Sequence, residues 1–441
     1  MRSSQKLRIA IVGGGIGGLT MAVAFSHMNL EESIQVNVYE SAAKLTQVGA
    51  GIGLWPRGWE IWKSMGLEEA LAARFPPGQD CLGTDKPKLS FAMRKSDQHK
   101  GVPILDLMIP GGGIKAFHRA EVQEVLLNHI SSNIQCHLNH RLSTYRQTEG
   151  GVEIEFKNGE TTTCDILIGA DGINSAVRKV FLSGGKNLSK EEVATDAQPL
   201  WTGSVVYRDL IDSELVRKDF PNHRGLTTPV VYCGKNKHLV VYPILQGKLL
   251  NVAPFVTDLE KEGTNLNGPA VIEKSADNIA PHFADWEEEV QVIIKHMTKP
   301  SRWAIQTVKP LNTYVSGRVF LMGDAAHAMA PHLGNGAGQA IEDAYILSNI
   351  IGKAARQGQI DIQKLGKIYD ATRQPFGNFA VAASRNQGLL YEFNAPGFKD
   401  IKEGDTVSDD KLVELGKFIE KGYEWTYQFA NDDLQRALSM L

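Results

Sequence analysis

Three glycines, Gly13, Gly15 and Gly18 in "LRIAIVGGGIGGLTMAVAF", stand between an apolar strand and a helix, and an acid, Glu40, ends the strand that follows. Residues of these types at this spacing bind a dinucleotide. Glycine permits a tight turn and lets a pyrophosphate approach the helix N-terminus, whose dipole favours negative charge, while Glu40 would accept hydrogen bonds from ribose hydroxyls. A bare GxGxxG is a weak signal; between two strands and with the acid at the right offset it is strong. It does not by itself separate a nicotinamide from a flavin dinucleotide. The residues that do so lie downstream. Asp171 and Gly172 follow a strand in "CDILIGADGINSAVR", with Ser175 and Arg178 beyond them, and Gly323 and Asp324 follow another in "RVFLMGDAAHAMAPHLGNGAGQAIEDA". This last stretch is rich in glycine and alanine and lacks aromatic and branched bulk, so something must lie close against its backbone. Its His327 and His332 form no facial-triad pattern. The cysteines Cys81, Cys136, Cys164 and Cys233 are far apart, with neither a CxxC pair nor zinc-like spacing, and no metal is expected.

The elements that position these residues follow from periodicity. Residues 7–39 read as a βαβ unit, with Leu19, Val23 and Ser26/His27 at helical spacing and Ile34, Val36 and Val38 alternating with polar neighbours. "HRAEVQEVLLNHI" puts Val122, Val125, Leu126 and Ile130 on one helical face, and "VEIEFKNGETTTCDILIG" is a hairpin turning at Asn158–Gly159 before a buried strand. From about residue 199, "WTGSVVYRDL", "TPVVYCG", "HLVVYPIL" and "KLLNVAPFV" predict a mostly antiparallel sheet. Alternation puts Ser204, Val206 and Arg208 on one face, and likewise His238, Val240 and Tyr242. Residues 268–300 look helical, and a buried strand then returns before a helix beginning near residue 338. The expected fold class is α/β: a Rossmann-type nucleotide-binding domain of residues 1–80, 115–198 and 302–380, interrupted by an antiparallel β-sheet domain of residues 81–114 and 199–301, and closed by a helical segment, 381–441.

Composition narrows the partners. With 42% hydrophobic and 22% charged residues the chain is an ordinary globular protein, and its net charge of −3 leaves no basic excess for nucleic acid. No run of roughly 18 apolar residues exists, so no membrane span is expected. With no leader before the first strand, a cytoplasmic location is expected; the terminal "SML" is distantly similar to the S-K-L peroxisomal address, and import there is the lesser alternative.

The three motifs, in this order and over roughly residues 7 to 390, resemble the group A flavoprotein aromatic hydroxylases, among them the 4-hydroxybenzoate and salicylate hydroxylases. The resemblance implies a p-hydroxybenzoate hydroxylase-like fold, FAD as cofactor, and NADPH or NADH as co-substrate. It assigns the ribityl chain to Asp324 and the FAD phosphates to Arg119, with Gln123 one helical turn on. It assigns both FAD and NADPH contact to the Asp171 motif, which makes Asp171 itself structural and gives an NADPH phosphate to Arg178. The isoalloxazine would lie against the backbone of residues 331–338, where Gly334, Gly336 and Ala337 let amide groups approach, with Pro331 beside the hydroxylation site. The helix that follows would point its N-terminus at the pyrimidine edge and stabilise the anionic reduced flavin. The chain has no second GxGxxG, so NAD(P)H would dock transiently.

On the same resemblance the strands carrying Arg208, His238 and Tyr242 face the substrate. Hydroxylation by a flavin C4a-hydroperoxide needs an electron-rich ring, so a phenol should bind as phenolate. Arg208 with Tyr242 or His238 would favour that ionisation, or Arg208 would clamp a carboxylate. Trp55 and Arg57 replace the commoner "PPNA" text of the family, and an aromatic there either stacks on substrate or packs. The expected activity is hydroxylation of a phenolic aromatic acid by O₂, with CO₂ lost where the attacked carbon bears a carboxylate. Hydroxylative dearomatisation of a phenolic polyketide in fungal secondary metabolism is the alternative within the class, and a flavin-dependent reductase without oxygen transfer the alternative outside it. Monomer and homodimer both fit.

Overall fold

The strand Leu7–Val12 is almost wholly buried and pairs in parallel with Ile34–Tyr39 on one side and Ile166–Gly169 on the other. This computed structural model describes residues 6–45, 51–75, 86–184, 196–273, 275 and 277–441, and Cys81 lies outside them. Gln135–His137 extends the sheet beyond Ile34–Tyr39; Val319–Leu321 extends it beyond Ile166–Gly169 and is flanked by the short antiparallel edge Val315–Ser316. Parallel strands are covered on both faces, which is why they read as continuous apolar runs. Ile9, Ile11, Val36, Val38, Ile166 and Ile168 share one core with Met21 and Phe25 of the helix Ile16–Met28 and with Ile346 and Ile350 of the helix Gly336–Arg356. Ile154 and Phe156, from a separate three-stranded sheet, join the same core. Each such side chain stabilises the fold by about 1.5–3 kcal/mol relative to exposure.

The register of this sheet decides where the motifs meet. Val12 pairs with Gly169, and Gly169 with Leu321. The residues that follow these three strands are Gly13, the Asp171 motif and the Asp324 motif, so segments distant in sequence share the carboxyl edge of one sheet. That edge is where open α/β sheets bind their ligands.

A second, eight-stranded sheet runs in the order Val271–Ile272, Ser301–Thr307, Leu200–Asp212, Leu249–Thr257, Lys237–Ile244, Val230–Gly234, Lys88–Lys95, Val102–Ile109. All its pairings are antiparallel except that of Val230–Gly234 with Lys88–Lys95. One face packs Val205, Tyr207, Leu239, Val241 and Val252 beneath Val290, Ile293 and Ile294 of the helix Glu288–His296. The alternating residues Val206, Val240, Ala253, Phe255 and Ile305 form a small separate cluster on the opposite face.

Residues 268–300 are less helical than expected. The edge strand Val271–Ile272 and a single 3₁₀ turn, Ala280–Phe283, precede the helix, which forms only where Val290, Ile293 and Ile294 provide an apolar stripe. At the other end, the helix Ile362–Tyr391 runs unbroken, and Asp409–Tyr423 and Asn431–Ser439 follow it. Leu412, Leu415, Ile419 and Tyr423 pack with Trp55, Met93 and Leu107, so the C-terminal helices bind both sheet domains together.

Candidate active site

The three motif glycines answer to three different demands. Gly13 has φ +114, and a Cβ there would sit 2.2 Å from the carbonyl oxygen of Ala170, where the neighbouring strand ends. A Cβ on Gly18 would meet the Gly13 carbonyl oxygen at 2.0 Å, so this glycine sets the contact of helix on turn. A Cβ on Gly15 would meet nothing within 4 Å: its side is open. Gly15 also precedes the helix Ile16–Met28, whose first turn carries neither an acid nor a side-chain cap, leaving its amides for an outside anion. Glu40 accepts hydrogen bonds from the amides of Gly14 and Ala42, both at 2.7 Å, and thereby holds the turn against the second strand. Gly18→Ala should force the helix off the turn, cost about 1–3 kcal/mol as an overpacked contact, and yield protein with little bound cofactor. Wild-type cofactor content in the purified variant would contradict this.

Asp171 accepts from the amides of Ala176 at 2.7 Å and Val177 at 3.1 Å and from the Ser175 hydroxyl, so it caps the helix Ala176–Ser183. Burial lifts its carboxyl above the ordinary range against the pull of those donors. Arg178 departs from the phosphate-binding expectation. Its side chain is fully buried and donates to the carbonyls of Ala325 and Ala326, each at 3.2 Å, and of Lys309 at 2.6 Å. The four-residue helix Asp324–His327 leaves those carbonyls without intrahelical partners, and Arg178 satisfies them.

Gly323, at φ +56, launches Asp324 onto the sheet edge. The Asp324 carboxylate is open to solvent, yet protein surrounds it closely enough to raise its pKa, with His327 and Arg119 pulling the other way. Arg119 opens the helix Arg119–Asn128, and its Nε is buried with no hydrogen-bond partner among the described residues. Gln123 lies buried on the same helix. Pro331 starts a 3₁₀ turn that ends at Gly334, with φ +60, and both residues are exposed. Gly336 and Ala337 then begin the helix Gly336–Arg356, which also lacks an acid or a side-chain cap in its first turn. A Cβ on Gly336 would come within 4.0 Å of Asp324 Oδ1. Open amides at Gly15, a partnerless guanidinium nitrogen at Arg119, an accessible carboxylate at Asp324 and a bare backbone at Gly334 fit a long ligand with a pyrophosphate, a polyol and a flat head, which is the chemistry of FAD.

Behind this loop lies a continuous run of buried charges. Arg373 donates from Nε to Asp343 at 2.7 Å and from Nη2 to Gln339 Oε1 at 2.7 Å, and it pairs with Glu342. Glu342 also takes two 2.8 Å bonds from Arg57, which reaches Asp433 near the C-terminus at 2.6 Å. Asp343 holds His327 Nε2 at 2.6 Å and the Gly323 amide at 2.8 Å. Burial opposes ionisation of Asp343, but His327 and Arg373 hold its carboxyl down at about 2. Trp55 is buried and donates from Nε1 to the carbonyl of Leu333 at 2.7 Å. Of the two readings left open for Trp55 and Arg57, the structure has them pack and fasten the loop.

The inner face of the eight-stranded sheet stands opposite. His332 approaches Phe255 and His238 with ring centroids 5.5 and 5.3 Å apart, and a Cβ on Gly51 would lie 3.2 Å from the Tyr242 hydroxyl. Arg208 lies on this face, partly buried. Its guanidinium has no ion pair or hydrogen bond among the described residues, only a cation–π contact with Trp303 at 5.8 Å. Burial lowers its pKa, and Tyr242 nearby opposes that shift. Burial raises the Tyr242 phenol, with Arg208 opposing. Arg208 and Tyr242 therefore lie near one another on this face. His238 stands apart from them, stacked on Phe255 at 4.2 Å and bonded through Nδ1 to Glu392 at 2.9 Å. Glu392, Trp303 and the Arg373 network carried no spacing signal in the sequence.

A dinucleotide cradle beside an apolar sheet face that carries Arg208 is an arrangement that suits a flavoprotein oxidoreductase. Residues 6–384 match the FAD binding domain family, and the chain belongs to that family. It is 32% identical to a salicylate hydroxylase of Pseudomonas putida, over 98% of this chain and 94% of that protein. It is 31% identical to a 6-methylsalicylate 1-monooxygenase of Aspergillus terreus, over 89% and 85% respectively. A solved salicylate hydroxylase substrate complex superposes with a TM-score of 0.82 at 27% identity, covering 99% of this chain and 98% of that one. The chain is thus an FAD-dependent aromatic monooxygenase. Among the described residues, no helix is long and apolar enough to cross a membrane.

Proposed function

We propose that this enzyme hydroxylates a phenolic aromatic acid of the hydroxybenzoate type, consuming NADH or NADPH and O₂, and releases CO₂ when the attacked carbon bears the carboxylate. The observation that carries this reading is Arg208: a guanidinium without an anionic partner among the described residues, beside an apolar floor, suits a carboxylate. Relatives named for salicylate and 6-methylsalicylate support the same substrate class. When bound, FAD would supply hydride acceptance from NAD(P)H and transfer of one oxygen atom to the ring.

The residues of the chain divide the remaining work. Gly15, Arg119 and Asp324 would bind the pyrophosphate and polyol of FAD, while the Gly334 to Ala337 backbone and the Pro331 turn would seat its head. Arg208 holds the substrate carboxylate and Tyr242 donates a hydrogen bond beside it. Val206, Val240, Ala253 and Phe255 exclude water from the ring. His238 receives the phenolic proton at Nε2, because Nδ1 is already engaged by Glu392. For salicylate the balance is salicylate, NADH, O₂ and two protons giving catechol, CO₂, NAD⁺ and water. The test is a panel of mono- and dihydroxybenzoates, with and without the carboxylate, scored for stimulated NAD(P)H consumption and for product by mass spectrometry. The reading expects stimulation by the acids. Stimulation confined to decarboxylated phenols would refute it.

A further inference from the structure

Residue 392 lies beyond the stretch that matches the family, and the structure joins it to His238. Glu392 follows the last turn of the helix Ile362–Tyr391, with its amide bonded to the Gly388 carbonyl at 3.1 Å. Its carboxyl oxygen Oε1 accepts from both His238 Nδ1 and Thr257 Oγ1 at 2.9 Å, and Thr257 Oγ1 is in turn 2.8 Å from Ser204 Oγ. The pair is buried, with 1% of the His238 side chain and 3% of Glu392 exposed. Two further features fix Glu392 in place. Phe393, fully buried, adopts φ +52, a left-handed conformation costly for a bulky side chain, and this turns the chain back immediately after Glu392. The turn between the strands Val230–Gly234 and Lys237–Ile244 grips the same point: the Asn236 amide donates to the Glu392 carbonyl at 3.1 Å, and Asn394 donates to the Asn236 side chain at 2.9 Å.

We infer that Glu392 is a positioning residue for phenol ionisation, acting through His238. Resting on the reading of His238 as the proton acceptor, it assigns a task to a residue outside the matched domain. A carboxyl oxygen that already accepts from Thr257 requires His238 to donate from Nδ1, and this leaves Nε2 as the ring's acceptor. Nε2 makes no hydrogen bond with any described residue. The groups facing His238 are Phe255 on the neighbouring strand, His332 on the loop, and Tyr391 and Glu392 on the helix end. Beyond His332 stands Arg385, which is paired with Glu262. Burial, His238 and Arg385 together push the His332 pKa well down, so the neutral His332 does not compete as a cation. The proton taken from a phenol at Nε2 is thus matched by an anion on the opposite side of the same ring, with no other described carboxylate in contact.

The experiment compares E392Q, E392D and H238Q holoenzymes. A nitro-substituted hydroxybenzoic acid serves as a bound reporter, since its phenolate and phenol absorb at different wavelengths. Wild type should bind it as phenolate at neutral pH. E392Q should bind it as phenol, lose on the order of 10²-fold in kcat, the lower end of what a positioned base contributes, and keep its flavin content and its KM for the substrate. E392D, which retains a carboxylate, should recover part of both the kcat and the phenolate spectrum. A purely structural role would lower flavin content and kcat together in E392Q and leave the reporter spectrum of the remaining holoenzyme unchanged, and that result overturns the inference. Wild-type kcat in E392Q with a crippled H238Q overturns the inference alone. Wild-type kcat in H238Q overturns it along with the role given to His238.

Discussion

Arg373→Met should destabilise the protein by about 3–5 kcal/mol, the scale on which removal of one partner strands buried charges. The substitution keeps much of the volume and leaves Glu342 and Asp343 facing each other with, among the described residues, Arg57 as ion-pair partner and His327 as hydrogen-bond partner. Equilibrium urea unfolding followed by tryptophan fluorescence reads the loss directly. A change below about 1 kcal/mol, the scale of exposed pairs, would mean that the network does not hold the loop. The pH dependence should follow the same groups. The Asp343 carboxyl is held near 2, below the ordinary aspartate value, so its contribution is fully present above about pH 4. It is lost as pH falls toward 2, and Arg373→Met should flatten that acid limb.

Arg208→Ala should lower kcat/KM for a hydroxybenzoate by at least about 30-fold, corresponding to the 2–5 kcal/mol lost when one member of a desolvated charge pair is truncated. The effect should fall mainly on KM, because the carboxylate is held in ground and transition states alike. Flavin content should be unchanged, since among the described residues no hydrogen bond or ion pair ties Arg208 to the FAD cradle. A phenol without the carboxylate should be affected several-fold less. Arg208→Lys should recover only part, because a lysine offers a point charge where arginine offers a planar fork. Equal losses on acids and plain phenols would instead give Arg208 a role in shaping the sheet face.

The FAD end of the molecule was legible in the sequence because its demands are local. Gly13, Gly15 and Gly18 lie within six residues; a Cβ on Gly13 or Gly18 would strike backbone, Gly15 leaves its side open, and Glu40 closes the same βαβ unit. The convergence of Gly13 with Asp324 was legible only through the order of motifs, and the parallel register Val12–Gly169–Leu321 is its physical reason. The β-rich character of residues 200–257 and the face shared by His238 and Tyr242 followed from alternation. What alternation does not carry is the partner across the fold. Glu392 meets His238 across a sequence separation of 154, and Arg57 meets Glu342 across 285, with no spacing that announces either pair. Arg178 shows the converse: the family resemblance gave it an NADPH phosphate, whereas it serves carbonyls of Ala325 and Ala326, distant in sequence and brought to it by the fold. Most of residues 268–300 lacks the apolar stripe that fixes the helix Glu288–His296, and polarity without such a stripe fits a loop equally well.

Incubating the holoenzyme with NADH, a carboxyl-labelled hydroxybenzoate and ¹⁸O₂ tests the central claim most directly, since it follows the substrate, the oxygen and the carboxylate at once. One ¹⁸O atom is expected in each molecule of hydroxylated product, with labelled CO₂ released in equal amount when the attacked carbon bears the carboxyl group. NADH oxidation in which all the ¹⁸O₂ appears as hydrogen peroxide and no hydroxybenzoate in the panel gains an ¹⁸O atom would contradict it.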